Sequence, residues 1–396
     1  MKKHPNDIFE NLFVLEMANN HWGDVDRGLS IIRAFGEVVR KHNVKAALKL
    51  QFRDVHNFVH PKFVCDDERY IKKTLQTGMS LDQFRILSSA IVDEGCIPMA
   101  TPFDETSVDW CVDLGYQLIK VASSDINDRP LLEKIASTGK PVIVSSGGAS
   151  EEEIDNVIAF FDQKNIPICI NHCVSIYPSE DDQLELNQID YLMRRFPSKV
   201  IGFSTHEYTD WSSSLLISYA KGARSWERHI DIDDGTAAVS QYCSLPLQID
   251  EWFSAFKTAK KMCGSSSLVR RSIGKQEIKY LDNLVRGVYA KTDIPEGLRV
   301  TESNFDKFFA FAIPLQQGQL SCREEIFGAV IEHNLAAGSE VSVADIQNIQ
   351  ELPEVDPVKI YNRGREVLST CDPDIINDIS QKSGQLGTCK LHLDKS

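Results

Sequence analysis

The most informative stretch of this chain is VIGFSTHEYTD (200–210), followed by a helix-like segment and then by ARSWERHIDIDD (223–234). Each of these two apolar runs ends in a polar cluster that holds one histidine, His206 in the first and His229 in the second. If the runs are neighbouring parallel strands, the two imidazoles lie side by side at one end of a sheet. The stretch therefore predicts a parallel α/β fold with a candidate metal site at the strand ends.

Similar apolar runs recur from residue 11 to about residue 263, at 12–17, 46–51, 97–101, 117–122, 141–145, 166–172, 200–204 and 223–229. Helix-like stretches alternate with them, for example at 26–42, 81–94, 131–138, 151–164 and 247–262. This alternation predicts βαβ units and a parallel sheet. Eight such units in about 250 residues fit a closed (β/α)₈ TIM barrel. A doubly wound open sheet is the alternative, but no GxGxxG motif opens a helix after a strand.

The composition changes after residue 263, which we take as the end of a barrel domain at 1–263. Residues 264–284 are rich in Ser, Lys and Arg and predict a linker. Residues 285–350 contain short strand-like runs, a Pro-Glu-Gly turn and a helix start near Ser303, which predict a small β-rich domain. Residues 351–396 form a C-terminal extension whose role the sequence does not indicate, with a helix-compatible stretch at 374–382.

The charge and cysteine content exclude several classes of protein. A formal charge of −14 argues against a nucleic-acid binder, although a local group of lysines still allows a small anionic substrate. Ten cysteines without CxxC pairs indicate reduced thiols. Neither a signal peptide nor an apolar run of about 20 residues is present, so we expect a cytoplasmic protein without a membrane segment.

Polar side chains occupy the C-terminal ends of all the apolar runs, where barrel active sites are built. They are Glu16, Lys49, Gln51, Thr101, Lys120, Ser123, Ser145, Ser146, His172, Ser175, Tyr177, Ser204, His206, Glu227 and His229. Neutral imidazoles at His206 and His229 favour Mn²⁺, Fe²⁺, Co²⁺ or Zn²⁺ over Mg²⁺, with open positions for substrate. The alternative is that each is a hydrogen-bonded strand-end histidine, which is our interpretation of His172.

Lys49 and Lys120 end otherwise apolar runs, where a buried ammonium group requires an anion. A phosphate or carboxylate ligand fits, and the hydroxyl groups of Thr101, Ser123, Ser145 and Ser204 can complete its site. The alternative is that both lysines reach solvent at the barrel rim. Glu16 is a candidate general base or a ligand-orienting group, or it forms a salt bridge with Lys49. Cys96 and Cys173 are predicted to be packing residues.

Eight motifs in order give the chain its resemblance to a known family. They are ExxxNHxGD from Glu16, KxQ from Lys49, TPFD from Thr101, KVAS from Lys120, SSGG from Ser145, HCVSIYP from His172, GFSTH ending at His206 and ERH ending at His229. Over residues 11–350 the chain resembles the sialic acid synthases, and its trailing domain resembles their antifreeze-protein-like (SAF, β-clip-like) domain. The resemblance implies that phosphoenolpyruvate and a sugar aldehyde condense to a nine-carbon 2-keto-3-deoxy acid, with release of phosphate.

The resemblance also implies a role for each motif residue. His206 and His229 would hold a divalent metal, Mn²⁺ by preference with Mg²⁺ and Co²⁺ as alternatives, and Glu16, Lys120 and His229 would be catalytic. Phosphoenolpyruvate would contact Lys49, Thr101, Lys120, Ser123, Ser145 and Ser204. The acceptor side would include Gln51, Asp125, Ser175, Tyr177 and Ser240. A homodimer is implied, in which the SAF domain of one subunit caps the barrel of its partner.

The chain departs from the family on the acceptor side. Ser240, in DDGTAAVSQYCSLP, stands where the family has an aspartate, and FAFAIPLQQGQLSC lacks the arginine of an RPGxG-like motif. Asp125 replaces a glutamate. We therefore expect an acceptor other than N-acetylmannosamine.

Three alternatives remain open from the sequence. One is a related synthase of the Kdo-8-phosphate or DAHP kind, which would need extra basic residues for a phosphorylated acceptor. The second is a non-catalytic barrel that serves as a binding module. The third is a metal-dependent aldolase or isomerase, which would explain the histidines but not the anion site.

Overall fold

Eight parallel strands close into a barrel in the computed structural model, which describes residues 5–64, 68–264, 270–324 and 326–347. The first strand pairs with the second on one side and with the eighth on the other, so strand order follows chain order. The predicted TIM barrel is confirmed, and the open-sheet alternative is wrong. The strands are β1 (Leu12–Ala18), β2 (Lys45–Phe52), β3 (Ile97–Pro102), β4 (Leu118–Val121), β5 (Val142–Ser145), β6 (Ile168–Cys173), β7 (Val200–Thr205) and β8 (Ser225–His229).

Helices alternate with these strands and cover the outside of the barrel. Several begin at side chains that cap the helix: Ser80 and Ser150 each form a capping box with the residue three positions on. The helices of this unit are α1 (Val25–His42), α2 (Val55–Phe58), α3 (Arg69–Gln76), α4 (Leu81–Asp93), α5 (Glu105–Asp113), α6 (Arg129–Ser137), α7 (Glu151–Gln163), α8 (Asn187–Arg195), α9 (Ser213–Lys221) and α10 (Pro246–Cys263). Within the described ranges, no helix is both long and apolar enough to cross a bilayer.

The two-residue period of each strand divides its side chains between two cores. On β1, Phe13 and Leu15 pack against the surrounding helices, whereas Leu12 and Val14 belong to a separate cluster inside the barrel. That inner cluster fills the amino-terminal half of the barrel and consists of Phe9, Leu12, Val14, Ala47, Met99, Leu118, Ile143, Cys169 and Val200. Further along the same inward rows the side chains become polar. Apolar side chains therefore fill the amino-terminal end of the barrel, and polar side chains line its carboxyl-terminal end.

The chain divides into two compact units, Met1–Val269 and Arg270–Ser396. In the second unit, α11 (Lys275–Asp282) lies within the predicted linker, and α12 (Glu302–Phe308) begins one residue before Ser303. Its antiparallel pairs are β9 (Gly287–Ala290) with β10 (Phe309–Ala312) and β11 (Val330–Ile331) with β12 (Ile346–Gln347). This is the expected small β-rich SAF domain. The predicted extension at 351–396, with its helix-compatible stretch, lies outside the described residues.

In this small domain the side chain of Gln319 packs directly against the backbone of Gly287, which leaves no room for a Cβ atom there. A Cβ atom at Gly287 would come within 2.3 Å of Gln319 Oε1. Gln319 is held there because its Nε2 donates to the carbonyl of Val288 at 2.8 Å, and its Oε1 accepts from the amide of Gln316 at 2.8 Å. Any larger residue at position 287 would displace this bridging amide group.

Candidate active site

A cavity of about 690 Å³ opens at the carboxyl ends of the barrel strands. That volume lies within the range of small-molecule sites, about 300–1,000 Å³. All but two of the predicted site residues line it, namely Glu16, Lys49, Gln51, Thr101, Lys120, Ser123, Ser145, Ser175, Tyr177, Ser204, His206 and His229. The inward rows of the barrel strands, and the segments that follow β4, β6 and β7, bring these side chains together.

A buried cluster of two lysines and two glutamates forms the base of the cavity. Lys49 forms salt bridges with Glu16 and, at 3.4 Å, with Glu227, while Lys120 Nζ lies 2.7 Å from Glu227 Oε2. All four side chains are buried, so the alternative in which the lysines reach solvent is wrong. The alternative salt bridge between Glu16 and Lys49 is present. It joins Glu16 to the cluster and leaves a catalytic role open.

The two carboxyl groups of this cluster differ in their pKa values. Burial raises the pKa of Glu16, because the charges of Lys49 only partly compensate for lost hydration. Burial also disfavours the Glu227 anion, but the adjacent Lys120 and Lys49 overcome it and lower the pKa of Glu227 to about 2. Glu227 therefore remains a fixed counter-charge, whereas Glu16 is the carboxyl group better suited to proton transfer near neutral pH.

Hydroxyl groups surround the two lysines. Lys49 Nζ donates to Thr101 Oγ1 at 3.0 Å, and the hydroxyls of Ser145 and Ser204 are buried in the same wall. Gly147 allows the serines to approach, since a Cβ atom there would lie 2.2 Å from Ser175 Oγ. Together with the ammonium groups, these hydroxyls offer the donors that a phosphate or carboxylate accepts from.

The two histidines of the opening stretch lie next to each other at the ends of β7 and β8, with ring centroids 5.5 Å apart. His206 Nδ1 lies 3.0 Å from the carbonyl oxygen of Val174, which assigns the proton to Nδ1 and leaves Nε2 as an acceptor. Burial lowers the pKa of His206 to about 4 and lowers that of His229 as well. Both imidazoles are therefore neutral at pH 7, as metal ligation requires.

The donor set fits a divalent metal that keeps open coordination positions. His229 Nδ1 is buried without a hydrogen-bond partner. Among the described residues, no group of three His, Cys, Asp or Glu side chains is arranged to hold a metal ion. The residues present would thus supply two imidazole ligands. The ring of Tyr177 packs 3.9 Å from that of His206 and bounds this part of the cavity.

Two predicted residues lie outside the cavity lining. Asp125 lies in the short turn after β4, where its Oδ1 accepts from Ser124 Oγ at 2.8 Å and burial raises its pKa. Ser240 lines a neighbouring surface depression together with Trp22 and Arg69. Neither residue lies on a barrel strand, so the two-residue strand period does not fix its direction.

His172, Cys96 and Cys173, which the sequence predicts to be core or packing residues, lie largely where expected. His172 is buried, and its Nε2 lies 2.8 Å from the carbonyl of Leu184, so it is a satisfied core histidine. Cys96 is buried in the outer core. Cys173 lines the cavity, but burial raises the pKa of its thiol and keeps it protonated. Every cysteine in the described ranges is a free thiol.

Several cavity residues received no role from the sequence: Asn19, Asn20, Arg53, Arg69, Tyr70, Lys73, Thr74, Phe103, Glu227 and Tyr242. The two-residue strand period could have predicted two of them. Arg53 follows Gln51 by two positions, and Glu227 precedes His229 by two positions, so each shares a strand face with a predicted site residue. Arg69 and Lys73 lie on α3. Their direction depends on how that helix packs, which the strand pattern does not reveal.

A buried ion pair joins Glu207, which follows His206 in the sequence, to Arg228, which precedes His229. Arg228 is 1% exposed, and its guanidinium donates to Glu207 Oε1 at 2.7 Å, to the Glu207 carbonyl at 2.6 Å and to Ser244 Oγ at 3.0 Å. We expect Arg228→Met to lower the free energy of unfolding by ~3–5 kcal/mol, because it leaves the Glu207 carboxylate buried and unpaired. Urea denaturation would measure the change. A double variant with Glu207→Leu should recover most of it, and an equal loss in both variants would contradict the unpaired-charge explanation.

A closed parallel barrel that gathers buried lysines, hydroxyl groups and neutral imidazoles in one cavity is typical of an enzyme that acts on a small molecule. Comparison with known proteins narrows this class. A model of the NeuB family matches residues 42–267, more than half of the chain. The chain therefore belongs to the NeuB family, and it is a carbon–carbon bond-forming transferase of the sialic acid synthase type.

Individual relatives agree with this assignment. The N-acetylneuraminate-9-phosphate synthase of Mus musculus is 28% identical over 315 residues, 76% of this chain and 82% of that protein. The N,N'-diacetyllegionaminic acid synthase of Campylobacter jejuni is 25% identical over 303 residues, 74% of this chain and 89% of that protein. The crystal structure named as spore coat polysaccharide biosynthesis protein E from Chromobacterium violaceum is 33% identical, with a TM-score of 0.80, and the match covers 85% of this chain and 100% of that one.

Proposed function

We propose that this enzyme condenses phosphoenolpyruvate with a sugar aldehyde, giving a nine-carbon 2-keto-3-deoxy acid and inorganic phosphate. The observation that supports it best is the pairing of two sites in one cavity, a buried lysine and hydroxyl site and a neutral histidine pair. A phosphorylated three-carbon acid fits the first site. A cavity of about 690 Å³ has room for a sugar beside it.

The lysines and hydroxyls would bind and orient phosphoenolpyruvate. Lys120 and Lys49 would exchange part of their contact with Glu227 for the phosphate and carboxylate of the substrate, while Thr101, Ser123, Ser145 and Ser204 donate the remaining hydrogen bonds. Gln51, Ser175 and Tyr177 line the cavity toward the acceptor position, and we assign them to acceptor binding. Holding both reactants in line can contribute up to ~7–11 kcal/mol toward the barrier.

The bond changes follow from this placement. C3 of phosphoenolpyruvate bonds to the aldehyde carbon, and the aldehyde oxygen takes up a proton and becomes a hydroxyl group. Water adds to the cation at C2 and loses one proton. The C2–O bond to phosphate then breaks as the new C2 hydroxyl loses its proton and becomes the keto group. Glu16, with its raised pKa and its hydrogen bond from Gln51 Nε2 at 3.1 Å, would accept the proton of that water. His206 and His229 would hold a divalent metal, Mn²⁺ by preference, which supplies Lewis-acid polarisation of the aldehyde oxygen when bound.

The direct test is phosphate release from phosphoenolpyruvate across a panel of aldoses, with and without Mn²⁺. We expect release only when aldose and metal are both present, in step with formation of a 2-keto-3-deoxy acid detected by mass spectrometry. N-acetylmannosamine should be a poor acceptor within the panel. Phosphoenolpyruvate alone is the control that separates condensation from simple hydrolysis. A folded enzyme that releases no phosphate with any acceptor would contradict the proposal and favour the non-catalytic alternative.

Two further features belong to the same proposal. We propose that the enzyme works in the cytoplasm, where its cysteines stay reduced. We also propose that it is a homodimer in which each small C-terminal domain covers the barrel of the other subunit, as the family resemblance implies.

A further inference from the structure

The segment between β8 and α10, residues 230–245, is a loop whose two ends lie side by side, and we refer to it as the β8–α10 loop. The amide of Ser244 donates to the carbonyl of His229 at 2.8 Å, and the amide of Asp231 donates to the carbonyl of Ser244 at 3.1 Å. Compact loops closed in this way frequently carry functional residues. Tyr242 lines the main cavity, with its ring 5.2 Å from that of His229. The loop therefore forms part of the cavity wall beside the histidine pair.

A buried arginine on α1 anchors the middle of this loop. Arg27 is 6% exposed, and its Nη2 donates to Asp231 Oδ1 at 2.7 Å and to the carbonyl of Ile232 at 3.3 Å. Its Nη1 donates to Asp234 Oδ1 at 2.5 Å and to Thr236 Oγ1 at 2.7 Å. One planar guanidinium group thus contacts four residues of the β8–α10 loop, a geometry that a flexible ammonium group does not reproduce.

Arg27 is itself held by the segment that joins β1 to α1. Its Nε donates to the carbonyl of Asn20 at 2.8 Å. The side-chain amide of Asn20 donates in turn to the carbonyl of Ile230 at 2.8 Å and contacts Cys243 Sγ at 3.4 Å. Asn20 also lines the main cavity. The β1–α1 segment therefore binds both ends of the β8–α10 loop through Asn20 and its middle through Arg27.

The two carboxyl groups bound by Arg27 make this anchor depend on its charge. Asp231 is buried, and burial raises its pKa while the adjacent Arg27 opposes that rise. Hydrogen bonds from Thr236, and then from Arg27, lower the pKa of Asp234 to about 2, so it is ionised at neutral pH. Without the guanidinium group, the loop would hold two acidic side chains close together, one of them buried. Its present conformation would then be unfavourable.

We propose that Arg27 is a positioning residue for the sugar acceptor: it holds the β8–α10 loop so that Tyr242 bounds the cavity beside His229. This proposal rests on the proposed function, since it concerns the second substrate of that reaction. Arg27 does not line the cavity itself, so it acts through the loop. Lys49 and Lys120 lie on β2 and β4, which the loop does not carry. Loss of the anchor should therefore affect the acceptor far more than phosphoenolpyruvate.

The kinetic test uses Arg27→Met and Asp234→Ala. Asp234 is 30% exposed, and Asp234→Ala leaves the buried pair of Arg27 and Asp231 intact, so this second variant should fold normally. A misplacement of about 1 Å can cost ~100-fold, so at saturating phosphoenolpyruvate we expect kcat/KM for the acceptor to fall ~10–100-fold in both variants. The KM for phosphoenolpyruvate should change less than ~2-fold. Unchanged acceptor kinetics in both variants, or an equal rise in the KM for phosphoenolpyruvate, would overturn the proposal.

Arg224→Gln is the matched control, because Arg224 is a partly buried arginine that also donates to backbone carbonyls but precedes β8, at the opposite end of the barrel. It should leave kcat/KM for the acceptor unchanged. Arg27→Lys keeps the charge but replaces the planar fork with one ammonium group, so it should lose most of the acceptor kcat/KM as well. Wild-type kinetics in Arg27→Lys would show that charge alone is needed and would contradict a positioning role.

Hydrogen exchange separates this proposal from the condensation reaction, since it needs no substrate. The amides of Ile232 and Thr236 donate to the carboxylates of Asp231 and Asp234 at 2.8 and 2.9 Å. In Arg27→Met we expect the β8–α10 loop to exchange ~10–100-fold faster, a factor that hydrogen bonds to charged groups can supply, while exchange in β5 stays the same. If no acceptor supports turnover, the proposed function fails, but this comparison still decides whether Arg27 holds the loop. Equal exchange of the loop in variant and wild type would refute it.

Discussion

Replacing Lys120 with methionine should lower kcat/KM for phosphoenolpyruvate by ~10²–10³-fold, which is typical for removal of one preorganised electrostatic contact. Methionine preserves much of the volume of the side chain but removes the ammonium group that lies 2.7 Å from Glu227. Among the described residues, Glu227 then retains Lys49 at 3.4 Å and the amide of Asn171 at 3.5 Å as its partners. Binding of a trianionic substrate next to this carboxylate becomes unfavourable. Steady-state phosphate release at varied phosphoenolpyruvate measures the loss.

A second variant separates this catalytic effect from simple instability. Lys120→Met leaves a buried carboxylate with fewer partners, so the protein should also become less stable. Lys120→Met/Glu227→Gln removes that charge and should recover stability while activity stays low. Lys45→Met, at the amino end of β2 and so at the opposite end of the barrel, is the matched control and should remain active. Recovery of full activity in the double variant would show that Lys120 serves only to neutralise Glu227.

His206→Ala and His229→Ala should each weaken Mn²⁺ binding by more than ~100-fold and reduce turnover in parallel. Residues that only hydrogen-bond to a metal ligand already contribute about 10–100-fold to metal affinity, so a direct ligand should contribute more. In the proposed metal site two imidazoles are the protein ligands, so loss of either leaves one. Electron paramagnetic resonance of free Mn²⁺ measures affinity without relying on the reaction.

His172 provides the control for these variants, because it is also a buried strand-end histidine but its Nε2 is satisfied by the Leu184 carbonyl. His172→Ala should reduce stability and leave Mn²⁺ affinity unchanged. Unchanged Mn²⁺ affinity in both His206→Ala and His229→Ala would show that these histidines are structural. In that case the aldehyde would have to be polarised by other groups of the cavity.

The sequence predicts the inward-facing part of the site well because a strand has a strict two-residue period. Once Lys49 and His229 are placed on barrel strands, neighbouring strand positions fix which side chains share their face. The same rule reaches Arg53 and Glu227, although neither was assigned a role from the sequence. Here the information was present but unused.

The two-residue strand period does not predict the direction of side chains on loops and helices. Asp125 and Ser240 were placed by resemblance alone, and they lie outside the cavity lining. Arg69 and Lys73 show the opposite case, since their spacing on α3 is visible in the sequence but the direction of the helix is not. That direction depends on long-range packing against the barrel rim, which no local pattern encodes.

The pairing of the first barrel strand with the last gives the site a dependence on complete synthesis. Glu16 on β1 lies opposite His229 on β8, and β8 also brings Glu227, the partner of both buried lysines. A nascent chain that has not yet reached β8 has Glu16 as a partner for Lys49 but lacks the carboxylate that pairs with Lys120. Burying Lys120 in that state is unfavourable. The ionic arrangement at the base of the cavity is thus complete only when β8 joins the barrel.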